Sequence, residues 1–260
     1  MNCWCAGVSE ICDSSDFRYT DITPGISDSF VLVSRKPDSD TLSQLRPAVV
    51  NHSGSQRSHA ELRGQPAVEH DCYWYLPDRF NGNKLRYYGG NLRFTSIVDG
   101  QTRNKENPDI IIRGNGRSIE FNNESRDVNF DLKFAEDQGW MTDKESATRD
   151  DIMTVLAKID SILIRACSGR TTFSSLSKLS IEYANGTATS GRLATAVEKC
   201  TCPPGYRGIS CEECQPGFYR TEGPGIGRCE KCKCGGNDEE CEDFTGTCKV
   251  KIFRILDLRN

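Results

Sequence analysis

The spacing of cysteines constrains this chain more than any other feature. It has 260 residues and 14 cysteines. Cys3, Cys5 and Cys12 crowd the front, and Cys200, Cys202, Cys211, Cys214, Cys229, Cys232, Cys234, Cys241 and Cys248 crowd the back. Between them lie only Cys72 and Cys167. Cysteine-dense ends are too short to bury a core and need covalent staples, whereas the body is long enough for a core of its own. The front holds three cysteines and the back nine, both odd. If Cys72 pairs with Cys167, one bond, or three, must join front to back.

Charge and hydropathy narrow the function classes. The net charge is −4 with acids and bases intermixed, which argues against nucleic acid or another polyanion as partner. No apolar run approaches the roughly 18 residues of a membrane span. The start, Met1-Asn2-Cys3-Trp4, lacks the basic and apolar stretches of a signal peptide. Disulfides require an oxidising compartment, so the chain is expected to be a piece of a longer, secreted protein. Acceptor triplets for N-linked glycans at Asn51, Asn123 and Asn185 point the same way.

Metal is the rival to disulfides. "CEECQPGFYRTEGPGIGRCEKC" has the C-x2-C-x14-C-x2-C spacing of a zinc ribbon. Five further cysteines crowd the same region and would be left unexplained, and His52, His59 and His70 are far off in sequence. The disulfide reading is therefore preferred, and no metal or cofactor is expected.

The body carries strand patterns. "NFDLKF" places Phe130, Leu132 and Phe134 on one face, and "LSIEY" does so with Leu179, Ile181 and Tyr183. "KLRYYGGNLRFTSIV" suggests two strand segments interrupted at Gly89-Gly90. "DIIIRGNGRSIEF" suggests a hairpin turning at Gly114-Asn115-Gly116. One helix is expected in "TRDDIMTVLAKID", with Ile152, Val155, Leu156 and Ile159 on one face and Thr148 as N-cap. Asp150 and Asp151 suit its positive end. "SILIRA" follows as a buried strand.

The back of the chain resembles a known family. "CPPGYRGISCEECQPGFYR", with glycines at tight turns and aromatics following them, is similar to the second half of a laminin-type EGF-like module. The missing first cysteines stand at the front, in "CWCAGVSEIC", as in a module split by an inserted domain. The resemblance implies the bonds Cys3–Cys12, Cys5–Cys200, Cys202–Cys211 and Cys214–Cys229. "CKCGGNDEECEDFTGTC" begins a second module, implying Cys232–Cys241 and Cys234–Cys248; the family's next cysteine falls where Val250 stands. Within the body, "YWYLPDRFNGNKLRYYGGNLRF" and "WMTDKESATRDDIMTVLAKIDSILIRA" resemble a laminin IV type A domain, whose fold is a β-jelly roll. The expected architecture is mainly β: a jelly-roll sandwich with one helix, flanked by small disulfide-rich modules. Residues 1–16 and 198–230 form the split module, 17–197 the laminin IV domain and 231–260 a truncated second module. The flanks are closer to perlecan-like basement-membrane proteoglycans than to laminin α and γ chains. A bond between Cys72 and Cys167, which the family commonly lacks, requires "CYWYL" and "ILIRAC" to be adjacent strands.

No catalytic set emerges. His70 lies two residues from Cys72, but a nucleophile needs a free, activated thiol. Asp109, Glu120 and Asp131 are carboxylates among 37 acidic residues, and surface solvation explains them more simply than a glycosidase pair. Trp74 and Trp140 could stack on a sugar, which makes a lectin-like jelly roll the alternative. Ser53, Ser168 and Ser190 precede glycines but lack the acidic flank of a glycosaminoglycan site. The sequence thus implies a non-catalytic extracellular-matrix module, a spacer carrying a globular domain, with other matrix proteins and glycans as partners.

Overall fold

A computed structural model of the chain describes residues 3–25, 28–35, 41–45, 59–63, 71–99, 107–123, 128–168, 171–223, 226–234 and 241–249. The chain divides into two compact units: one spans Asp13–Glu198, the other joins Asn2–Cys12 to Lys199–Asn260. The strands are β1 (Cys12–Ser14), β2 (Arg18–Ile22), β3 (Val31–Arg35), β4 (Leu42–Gln44), β5 (Ala60–Arg63), β6 (Cys72–Tyr75), β7 (Asn91–Val98), β8 (Ile110–Gly114), β9 (Arg117–Phe121), β10 (Asn129–Lys133), β11 (Met141–Thr142), β12 (Glu145–Ser146), β13 (Ile159–Cys167), β14 (Phe173–Asn185), β15 (Glu198–Cys200), β16 (Tyr206–Arg207), β17 (Glu213–Cys214), β18 (Phe218–Thr221) and β19 (Arg228–Lys231). Helix α1 (Arg149–Ala157) precedes β13.

The first unit is a jelly-roll sandwich of two antiparallel sheets. One has the order β10-β7-β14-β2, with β5 also on β14; the other runs β12-β11-β9-β8-β13-β6-β3-β4. Strand β13 is buried at every residue but Asp160, the polar Ser161 and Arg165 included, as a strand is when both its faces are covered. On one face Ile112 opposes Ile119 and Ile162, while Trp74 opposes Ile164 and Leu32. At the alternate positions Val33, Tyr73, Ile111 and Leu163 form a second apolar cluster. In the other sheet Leu92 opposes Leu132 and Ile181, and Phe94 stacks on Phe130 with centroids 4.3 Å apart.

Helix α1 starts where its capping residues place it. Thr148 and Asp151 form a reciprocal capping box, and Ile152, Val155 and Leu156 are fully buried. It ends two residues before Ile159, the last residue of the expected apolar face. Lys158, at φ −157°, turns the chain out of the helix, so Ile159 opens β13 instead of closing the helical face.

The stretch before Gly89 also departs from expectation. Leu85–Tyr87 is a 3-10 turn, not a strand, and only Asn91–Val98 is extended. The turn lets Leu85 and Tyr87 both bury, with Tyr87 stacked on Phe134 at 5.9 Å. Gly89 is needed for close approach: at φ +73°, a Cβ there would lie 2.4 Å from Ala196 Cβ.

The start and end of this unit are neighbours. The Ser15 N–H donates to Val197 O (2.8 Å), and its hydroxyl to Ala194 O (2.8 Å). Next to them β2 pairs with the end of β14, Arg18 opposite Asn185. The second unit holds two small hairpins, β16–β17 and β18–β19.

Candidate functional site: the cystine framework and the glycan acceptors

Among its described residues the second unit has little apolar interior, and its shape is fixed by sulfur. Cys3 is bonded to Cys12, and Cys5 to Cys200 across 195 residues of sequence. Cys202–Cys211 and Cys214–Cys229 complete four bonds over the two chain ends. Cys5 and Cys211 are fully buried, which hides the sulfurs that anchor the framework. Local sequence sets the turns between them. Gly205 has φ +91°, and a Cβ there would lie 2.8 Å from Phe218 Cε1, so the aromatic ring covers the turn. The Tyr206 hydroxyl accepts the Cys229 N–H at 3.1 Å and ties one hairpin to the other.

Cys232–Cys241 and Cys234–Cys248 belong to the segment that follows. That segment packs directly on the hairpin before it. The Arg220 N–H donates to Asp243 O (2.7 Å), and the Cys232 N–H to Gly217 O (2.8 Å). A Cβ on Gly246 would be 2.8 Å from Tyr219 Cζ, so the Tyr219 ring lies against bare backbone.

This pairing sets the cysteines of the zinc-ribbon run into separate bonds. The four cysteines of the C-x2-C-x14-C-x2-C run do not converge on one point, since Cys211 bonds Cys202, Cys214 bonds Cys229 and Cys232 bonds Cys241. No cysteine is free. A sulfur in a disulfide cannot supply the thiolate that zinc needs.

In the first unit Cys72 and Cys167 are directly opposed on β6 and β13, with Cα atoms 4.9 Å apart and a disulfide between them. Both are fully buried. The thiol of a Cys–His nucleophile is therefore absent; His70 lies outside the described residues. The carboxylates considered for glycoside chemistry each face a cation. Asp109 is 3.5 Å from Arg165, Glu120 is 3.9 Å from Arg35 and Asp131 is 3.1 Å from Arg93. Burial pushes the Tyr19, Tyr87 and Tyr88 hydroxyls well above their ordinary pKa; Tyr19 donates to Tyr88 O at 2.5 Å and Tyr88 to the Glu136 carboxylate, while the buried Tyr87 hydroxyl has no hydrogen-bond partner among the described residues.

The aromatics proposed to stack on sugar are interior. Trp74 is fully buried in β6, and Trp140 is 2% exposed. The Trp140 ring lies parallel to Phe134 at 5.7 Å, and its Nε1 donates to Lys133 O (2.8 Å). Neither ring can serve a lectin platform, because each is already covered by core side chains.

The glycan acceptors differ from one another. Asn51 lies outside the described residues, as does Ser53. Asn185 ends β14 half-buried beside the exposed Gly186 and Thr187, its Oδ1 accepting the Thr187 N–H (2.9 Å). Asn123 is only 7% exposed, and its backbone N–H donates to buried Asp109 (2.8 Å). A glycan there requires the side chain to turn outward. Of the serines followed by glycine, Ser168 is buried and Ser190 exposed. Sequence alone does not reveal the buried Arg165 pairs, because Arg165 sits inside an otherwise apolar run. Among the described residues no helix is long and apolar enough to cross a membrane.

Comparison with known proteins adds a frame. Residues 73–198 match the Laminin B (Domain IV) family, and residues 194–230 match the Laminin EGF domain family. The chain is 34% identical to the basement membrane proteoglycan of Caenorhabditis elegans, over 95% of its own length and 7% of that protein. It is 33% identical to the mouse basement membrane-specific heparan sulfate proteoglycan core protein, over 96% of this chain and 7% of the relative. Mouse laminin subunit alpha-1 is 31% identical, over 95% of this chain and 8% of its own length. Among solved structures, the L4b domain of human laminin alpha-2 aligns over 65% of this chain and all of that one, with a TM-score of 0.54 and 23% identity, a likeness of fold. The chain therefore spans a small fraction of the relatives it matches.

Proposed function

We propose that this chain, whose residues 73–198 match the Laminin B (Domain IV) family and residues 194–230 the Laminin EGF domain family, is a non-catalytic structural part of a basement-membrane protein. In this reading residues 1–16 and 198–230 are one laminin EGF-like module, and residues 17–197 are a laminin IV domain inserted into it. Residues 231–260 begin the next module. The modules act as a rod-like spacer and the inserted domain offers a surface to other matrix proteins, in the extracellular space. The observation that carries this is the Cys5–Cys200 bond, which makes one compact unit out of the two chain ends. The seating of Tyr219 on the Gly246 backbone supports the spacer role, since a stiff series needs each module to brace the next. N-linked glycans at Asn51 and Asn185 would keep the surface hydrated; Asn123 joins them only if it leaves its buried position.

The test is peptide mapping without reduction on chain secreted from eukaryotic cells. A peptide joining Cys5 to Cys200 is the expected result. Reduced Cys211, Cys214, Cys229 and Cys232 with stoichiometric zinc would overturn the proposal and return the zinc-ribbon reading.

A further inference from the structure

Three asparagines precede glycine: Asn81, Asn115 and Asn185. Such a pair can cyclise, because glycine leaves its nitrogen unhindered for attack on the asparagine side chain. The fold treats the three differently. The Gly82 N–H is committed to Ile159 O at 2.8 Å, which holds the nucleophile at Asn81 away. At Asn185 the side-chain oxygen is clamped by both the N–H and the hydroxyl of Thr187, each at 2.9 Å. Asn115 and Gly116 form the two-residue turn between β8 and β9, at φ +49° and +71°. Gly116 is exposed, and a Cβ built on it meets nothing within 4 Å. One hydrogen bond restrains the Asn115 amide, from its Nδ2 to Thr154 O (2.7 Å).

That bond has a structural use. Thr154 O is among the last carbonyls of α1, which have no partner within the helix. The Lys84 N–H takes Leu156 O (2.7 Å), and Asn115 takes Thr154 O. The hairpin lies tight on this end: a Cβ on Gly114 would fall 2.4 Å from Val155 O and 2.3 Å from Lys158 O.

We propose that Asn115 is a deamidation site, and that its conversion uncaps the C-terminal end of α1. The Gly116 nitrogen attacks Asn115 Cγ, the Cγ–Nδ2 bond breaks and ammonia leaves. Water then opens the succinimide to aspartate or isoaspartate, adding one negative charge. The donor to Thr154 O is lost, and a carboxylate stands against the negative end of the helix dipole. The isoaspartate product also lengthens the backbone inside a turn that has room for two residues only.

The experiment is incubation of the folded, oxidised chain in mildly alkaline buffer at body temperature, followed by peptide mapping and thermal melting. The expected result is conversion at Asn115 several-fold faster than at Asn81, with the converted fraction melting earlier. An Asn115→Asp chain should reproduce the earlier melt, and Asn115→Gln should resist conversion. Two results would overturn the proposal. One is an unreacted Asn115 in folded chain when the same residue converts in urea, meaning that the bond to Thr154 protects it fully. The other is an Asn115→Asp chain that melts like the parent, meaning that the cap is immaterial.

Discussion

Arg165 is 4% exposed on β13, with its guanidinium 3.6 Å from Asp71 and 3.5 Å from Asp109. Removing one partner of a buried ion pair costs about 3–5 kcal/mol, because the remaining charge is left uncompensated. Both carboxylates keep another donor, Asn107 Nδ2 for Asp71 and the Asn123 N–H for Asp109. Arg165→Ala should therefore fall near the lower end of that range in chemical denaturation, and an unchanged midpoint would mean the pairs contribute nothing. The glycan acceptors make a second residue-scale prediction. In chain secreted from eukaryotic cells, glycopeptide mapping should find Asn185 occupied and Asn123 empty. Both are marked identically by sequence, since a triplet records the acceptor and says nothing of burial. Arg165 is hidden for the same reason: spacing puts it on a face of the strand, but its partners come from segments far away in the chain.

At the scale of elements, the helix start was legible and the turn before Gly89 was not. Thr148 and Asp151 are local signals, three residues apart, and a capping box needs only that spacing. Leu85–Tyr87 adopts its turn because Phe134, Leu156 and Tyr183 meet it from distant parts of the chain, so a local pattern of β-favouring residues misleads. The capping box also carries a pH dependence. Burial disfavours ionised Asp151, but hydrogen bonds from Thr148 and the Arg117 guanidinium outweigh it and hold the pKa below the ordinary carboxylate value. A depressed pKa contributes stability that is complete above the unfolded value and is lost as pH falls through the folded one. Asp151→Asn should cost about 0.3–1 kcal/mol at neutral pH, the usual contribution of a negative side chain in the first turn of a helix. It should also flatten the decline of stability in the acid range below the ordinary carboxylate pKa. A variant whose acid limb matches the parent would remove Asp151 from the account.

For the whole molecule, once Cys72 pairs with Cys167 the parity of the remaining cysteines asks for a link between front and back, and the chain ends meet at Cys5–Cys200. In the chain-entropy picture closing so long a loop contributes at most about 5 kcal/mol. The first unit, however, brings its own ends together through Ser15, Ala194 and Val197. A Cys5→Ser/Cys200→Ser chain should therefore keep the melting of the Asp13–Glu198 unit, while residues after Lys199 become protease-sensitive. Early melting of the first unit would mean that its ends are held by sulfur alone. What neither parity nor periodicity could show is how small that neighbourhood is, a few hydrogen bonds around one serine. The same covalent short-cut has a mechanical meaning. Tension pulling on the two ends of the chain enters at Cys5 and leaves at Cys200 through a single S–S bond. The chain between them, a sequence separation of 195 residues, is bypassed like a slack loop beside a taut rope. Such a force would not load the sandwich, and only reduction of that bond would bring the sheets under it.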